Sequence, residues 1–101
     1  MKWLLKRMMY EIEDVKEYSA YEKIIDKYAN MAKIQAQVKY GAVYTIEDFI
    51  EDVGAKCITS YDGNGYYWDE VENKETDTVS LNVNELRSAS KKYHYVIWYN
   101  R

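Results

Sequence analysis

The sequence has few of the residues that brace or punctuate small domains. Among 101 residues there are one cysteine, one histidine, four glycines and no proline. A lone cysteine cannot form an internal disulfide, which excludes the disulfide-rich secreted class. A structural zinc site needs four nitrogen or sulfur ligands, and Cys57 with His94 cannot supply them. The sequence therefore predicts neither a structural metal nor a cofactor.

Long apolar runs are also missing. The N-terminal segment MKWLLKRMMYEIED carries Lys2, Lys6 and Arg7 among its apolar residues. It has no uninterrupted apolar region of a signal peptide, and no segment approaches the ~18 residues of a membrane span. The sequence therefore predicts a cytoplasmic protein without membrane contact.

Enzyme motifs are absent as well. There is no Gly-x-Ser-x-Gly, no His-Glu-x-x-His and no glycine-rich phosphate loop. The segment after Asp62 resembles the start of a calcium loop, but Tyr67 and Asn73 occupy the positions that require Gly and Glu. Cys57 and His94 would form a nucleophilic pair only in neighbouring strands, whereas a free cysteine usually behaves as a small buried apolar group. We expect no catalytic residues and no enzyme activity.

The composition is that of one globular domain with an unusual aromatic content. Apolar residues make up 48% of the chain, enough for a core at this length. Twelve tyrosines and three tryptophans stand against one phenylalanine. Tyrosine suits half-buried positions and contact surfaces, although an AT-rich genome also explains its abundance.

The first half of the sequence has helical periodicity. Residues 1–16 form one amphipathic segment, and Ser19 to Glu22 match a capping box that starts a second helix at about 20–39, before Gly41. Whether the two helices are separate is left open. The apolar stripe of the first comprises Leu4, Leu5, Met8, Met9, Ile12 and Val15.

A third, short helix is marked at both ends. Thr45 is a helix-starting residue with Asp48 three positions later, and Gly54 is a stop signal. The apolar residues between them recur at helical spacing, and they are Ile46, Phe49, Ile50 and Val53.

After Gly54 the period changes to two. Strands are predicted at 56–61 and 66–71 around an Asp62–Gly65 hairpin turn, then at 78–83 and 93–99, the last as an inner strand. Residues 84–92 are either a long turn or a short helix capped at Asn84. Four residues are expected in the core: Phe49, Val79, Leu81 and Ile97.

Together these patterns predict an α+β fold. Two or three N-terminal helices pack on a small antiparallel C-terminal sheet of three to four strands. We expect a single domain over 1–101, with a helical half at about 1–53 and a sheet half at about 55–100.

Charge is distributed very unevenly. Residues 45–77 carry ten acidic and two basic side chains, whereas the segments on both sides have a basic excess. Four acidic residues share the outer face of the short helix. Such a run is most often a solvated face, but it also suits a docking surface for a basic partner.

The docking hypothesis adds aromatic residues to this charge. Aromatic anchors surrounded by charge are typical of tight, fast-associating interfaces. The partner would be a protein with a basic surface, such as the nucleic-acid groove of a host enzyme. The predicted partner-binding residues are Glu47, Asp48, Glu51, Asp52, Tyr66, Tyr67, Trp68, Asp69, Glu70 and Glu72.

The function predicted from the sequence is a non-catalytic inhibitor or regulator. In size, composition and acidic middle the chain resembles small phage-encoded inhibitors, including anti-CRISPR proteins, a resemblance that covers no motif. One alternative is a toxin-neutralising immunity protein. Another is a winged-helix nucleic-acid regulator, against which the acidic helix before the hairpin argues. The N-terminal helix, with Trp3, Leu4 and Met8, offers a further surface for a partner or a homodimer.

Overall fold

The structure, a computed structural model, describes residues 2–38, 41–55 and 63–99. The chain divides into two compact units, Met1–Lys39 and Tyr40–Arg101. We describe the first as the helical unit and the second as the β unit, each by itself. None of the described helices is both long enough and apolar enough to cross a membrane.

The helical unit consists of two separate helices. Helix α1 spans Lys2–Glu13 and α2 spans Tyr18–Gln37. The helices contact each other, and Lys27 Nζ lies 3.1 Å from Glu11 Oε1 in a partly buried salt bridge between them. The sequence left open whether the two helices are separate, and the structure shows that they are.

The predicted boundary signals of α2 are wrong. The N-cap residue is Glu17, whose side chain makes no capping hydrogen bond. Tyr21 N donates to Glu17 O at 3.1 Å, so the first turn already includes Ser19. At the other end the C-cap Val38 is extended and Gly41 opens a strand. Gly41 therefore belongs to β1 and is not the stop signal of α2.

The two helices bury less of their apolar surface than the periodicity predicts. On α2, Tyr28, Met31, Ile34 and Val38 are buried. On α1 only Leu4 is buried among the described side chains, and two members of the predicted stripe are exposed instead: Leu5 and Met9.

The β unit alternates strands and helices. Its elements are β1 (Gly41–Thr45), α3 (Ile46–Ala55), β2 (Gly63–Asp69), β3 (Lys74–Glu75), β4 (Val79–Leu81), α4 (Val83–Ala89) and β5 (Tyr95–Tyr99). The antiparallel sheet has the order β1-β5-β2, and both β3 and β4 pair with the far edge of β2. The predicted α+β fold is confirmed, with five strands among the described residues where three to four were expected. Strands β1 and β3 were not predicted from the sequence.

Strand β5 is the inner strand that its apolar sequence predicts. Val43 of β1 and Tyr66 of β2 pair with Ile97 from opposite sides. Tyr95, Val96 and Ile97 are all buried, so both faces of the strand are covered. Burial on both faces is why its sequence does not alternate.

The core of the β unit lies between one face of the sheet and two helices. Of the four residues predicted to be in the core, Phe49 and Leu81 are buried there, and Ile97 is buried on the opposite face of β5. The fourth, Val79, is only half-buried. The buried residues that pack together beneath α3 and α4 are Ile46, Phe49, Val53, Tyr67, Leu81, Val83, Leu86 and Val96.

The segment read as a hairpin turn is a strand. Gly63, Asn64 and Gly65 belong to β2 and pair with Leu81, Ser80 and Val79. A Cβ on Gly65 would lie 2.4 Å from Leu81 Cδ1 and 2.5 Å from the Ile97 carbonyl oxygen. A glycine at this position therefore allows β2 to lie close to the neighbouring strands β4 and β5. The predicted strand 56–61 and the turn residue Asp62 lie outside the described residues.

Residues 84–92 do contain a helix, and its cap lies upstream of the predicted one. Helix α4 starts at Val83, and the Asn82 side chain accepts a hydrogen bond from Glu85 N at 2.9 Å. Asn82 thus satisfies one of the free N–H groups of the first turn, a role that the sequence analysis assigned to Asn84.

We expect Gly65→Ala to destabilise the protein by at least about 2 kcal/mol, because a methyl group overpacks a site closed by backbone as well as by Leu81. Urea unfolding measures the loss. The matched control is Asn64→Ala in the same strand, whose exposed side chain should change stability by less than about 0.5 kcal/mol. Equal stability of the two variants would contradict the close approach.

Candidate functional site

The acidic helix α3 is oriented by its cap and by its apolar face. Asp48 N donates to Thr45 Oγ1 at 3.2 Å, which confirms the predicted start signal. Ile46, Phe49 and Val53 point into the core. Glu47 and Glu51 are consequently exposed on the outer face, whereas Asp48 and Asp52 are half-buried and have interactions of their own.

The second acidic segment is a compact turn between β2 and β3. Asp69 Oδ1 accepts hydrogen bonds from Val71 N at 3.0 Å and Glu72 N at 3.1 Å. Asn73 closes the turn with a φ of 54°, a left-handed conformation that asparagine tolerates. The Asp69 carboxylate therefore orders the turn, and Glu70 and Glu72 are the exposed charges that it presents.

His94 joins the two acidic segments at one end of the sheet. Its carbonyl oxygen accepts a hydrogen bond from Ile46 N, the first residue of α3, at 2.9 Å. Its ring Nδ1 lies 2.8 Å from Glu70 Oε1 in the turn. Both side chains are exposed, so the contact contributes little stability, but it shows that the start of α3 and the turn are neighbours.

Two of the three aromatic residues predicted as anchors are buried. Tyr67 is 6% exposed and Trp68 is 5% exposed, while Tyr66 is half-buried. The Tyr67 ring stacks on Tyr93 with centroids 5.3 Å apart. Tyr67 and Trp68 are therefore not accessible to a partner in this structure, because β2 is an inner strand whose two faces are both covered.

The turn presents an apolar residue that the sequence analysis did not select. Val71 is 94% exposed, between Glu70 and Glu72 at the tip of the β2–β3 connection. The periodicity predicted Val71 as the last residue of a strand at 66–71. The available signal was Asn73, since asparagine favours left-handed turn positions. The exposed acidic residues of α3 and of the turn, together with Val71, form what we call the acidic surface. It consists of Glu47, Glu51, Glu70, Val71 and Glu72.

Near the opposite end of β5 lies a half-buried phenol. The Tyr99 hydroxyl donates a short hydrogen bond to Glu75 Oε1. Burial, first, and then the hydrogen bond to and negative charge of Glu75 raise the pKa of Tyr99 far above its ordinary value of 10.0. The pKa of Tyr67 is also raised, mainly by burial and then by Glu85. Both phenols remain neutral in the folded protein.

The described residues contain no group of three or more His, Cys, Asp or Glu side chains that would hold a metal ion. Cys57 lies outside the described residues, so its geometry relative to His94 is not part of the described site. The one histidine, His94, contacts Glu70 and no described nucleophile. Chemically, the acidic surface offers charge and a small apolar contact.

Because the pKa of Tyr99 is raised, the folded state holds its proton to higher pH than the unfolded state does. The stabilisation that this raised pKa contributes to the folded state is complete below pH 10. It is lost as the pH rises above the ordinary pKa and through the raised pKa of Tyr99. We expect the free energy of unfolding to fall with pH in this range. The free energy of unfolding should decline less steeply with pH in Tyr99→Phe than in the wild type. The slope for Glu75→Gln should lie between those of the wild type and Tyr99→Phe. Denaturant melts between about pH 8 and 11 measure the slopes, and identical slopes would contradict the prediction.

This chain matches no family model, no curated protein and no solved structure in the comparisons with known proteins. No identity is therefore transferred from a relative.

Proposed function

We propose that this protein is a non-catalytic inhibitor or regulator that binds a basic surface of another protein through the acidic surface. The observation that carries the proposal is the junction at His94. Its carbonyl oxygen holds the start of α3, and its ring contacts Glu70 of the turn. Acidic side chains about twenty residues apart in sequence would thereby belong to one surface.

The charge of this surface suits a partner that normally binds nucleic acid. Clustered carboxylates take the place of phosphates in a basic groove, and complementary charge raises the rate of encounter. An enzyme with a nucleic-acid channel is such a partner, and a phage or mobile-element inhibitor of a host enzyme has this chemistry. The net charge of −3 and the acidic excess in 45–77 support a basic partner.

The acidic surface also has a rigid element on which a partner can close. The turn is held by two hydrogen bonds to Asp69, so little conformational entropy is lost when it docks. Val71 at its tip provides the apolar contact that Tyr67 and Trp68, being buried, do not provide. Charge would then control association, and Val71 would control dissociation.

The order of the elements argues against the winged-helix alternative. Strand β1 separates α2 from α3, so α3 does not follow α2 as the second helix of a helix-turn-helix. The outward residues of α3 include Glu47 and Glu51, whose charge would repel phosphates. A protein partner fits this surface better than a nucleic acid.

The double variant Glu47→Lys/Glu51→Lys should slow association with the partner by about tenfold or more at about 50 mM salt, and by less at about 300 mM, because exposed charges are screened. The partner is first recovered by affinity purification from the host, and binding kinetics are then measured. The matched control, Glu22→Lys/Asp26→Lys, reverses two exposed acids at the same spacing on α2. Equal effects of the two reversals, or rates indifferent to salt, would contradict the proposal.

Val71→Ser should accelerate dissociation from the same partner several-fold and leave association nearly unchanged, because it removes an apolar contact without changing charge. At 94% exposure the substitution should not alter folding, which a denaturant melt verifies. If dissociation is unchanged, the turn tip does not contact the partner. Binding of duplex DNA by the wild-type protein, tighter at low salt, would favour the nucleic-acid alternative instead.

A further inference from the structure

Helix α1 leaves one apolar face in solvent. Leu5 and Met9, one helical turn apart, are each 57% exposed, and the neighbouring Tyr10 is 61% exposed. Large apolar side chains grouped in this way on a helix indicate a contact surface more often than isolated ones do. This face is distinct from the acidic surface, which belongs to the β unit.

Two opposite charges frame this face along the helix. Lys6 and Glu13 are both exposed, and neither forms a salt bridge with another described residue. They are seven residues apart, about two turns or ~10 Å, and so lie on one line with Met9 and Tyr10 between them. Glu11 differs, because its carboxylate is bound to Lys27 of α2.

We infer that a second copy of this chain docks on α1, with the two helices antiparallel about a two-fold axis between Met9 and Tyr10. In that arrangement Lys6 faces the partner's Glu13, and Glu13 faces the partner's Lys6. Met9 and Tyr10 meet across the axis. A two-fold interface requires a surface complementary to itself, and the order of basic, apolar and acidic residues meets that requirement.

The charge order selects both the occupant and its direction. A parallel pair would place Lys6 against Lys6 and Glu13 against Glu13, so like charges would repel. A uniformly basic or acidic partner would match one end of the face and oppose the other. The antiparallel pair also sets the dipoles of the two helices in opposite directions. A second copy satisfies both ends at once.

The contact is small, so the dimer should be weak and dependent on concentration. One helix face buries less area than a standard interface does, and exposed ion pairs add little affinity. The apolar centre formed by Met9 and Tyr10 therefore supplies most of the attraction, and the two ion pairs fix the register.

Sedimentation velocity of the full chain from about 5 to 500 µM tests the proposal, a range suited to weak dimers. Glu13→Lys and Lys6→Glu should each raise the dimer dissociation constant about tenfold or more, because each sets like charges opposite each other twice. The double variant Lys6→Glu/Glu13→Lys restores opposite charges and should return the constant to within about threefold of the wild type.

Two further variants separate this interface from unspecific effects. Met9→Lys should abolish the dimer, and Glu22→Lys, on the exposed surface of α2, should leave it intact. Circular dichroism confirms that each variant keeps its helices. A wild-type protein that stays monomeric throughout, a dimer unaffected by the single reversals, or a double variant that fails to recover would each overturn the proposal. None of these outcomes depends on the partner of the acidic surface.

Discussion

The pairing of β5 with two strands remote in sequence is the constraint on which the β unit depends. Residues 41–45 and 65–67 pair with β5 from opposite sides. The close approach of β2 to Ile97 and Leu81 is possible because Gly65 carries no side chain. With both faces covered, Val96 and Ile97 are removed from water, and α3 and α4 gain a surface on which to pack. Burial of this strand is the main source of stability that these elements share.

The acidic surface is a consequence of the same pairing. The hydrogen bond from Ile46 N to His94 O continues the β1–β5 ladder into the first residue of α3. The helix therefore starts where β5 starts, beside the turn that follows β2. Repulsion between the gathered carboxylates costs some stability, which a basic partner would recover on binding.

The two proposed contacts differ in symmetry, and they would reinforce each other. In the two proposals, the acidic surface would meet a different protein, whereas the α1 face would meet its own copy. A dimer would carry two acidic surfaces, and a partner with two basic sites would then be bound with an avidity above that of either contact. The weakness expected of the α1 interface would make this effect depend on concentration. The two surfaces lie in different units, so variants in one can be tested without altering the other.

Local periodicity was enough to predict the α+β class, the start of α3 at Thr45 and the burial of Phe49, Leu81 and Ile97, because these depend on neighbouring residues and on apolar side chains. Periodicity does not tell how many layers cover an element. The tertiary structure alone decided that Gly63–Gly65 is a strand, that Tyr67 and Trp68 are buried, and that Leu5 and Met9 are exposed. Each of these features depends on pairing or packing with residues that are distant in sequence. A local pattern does not indicate which distant segments come into contact.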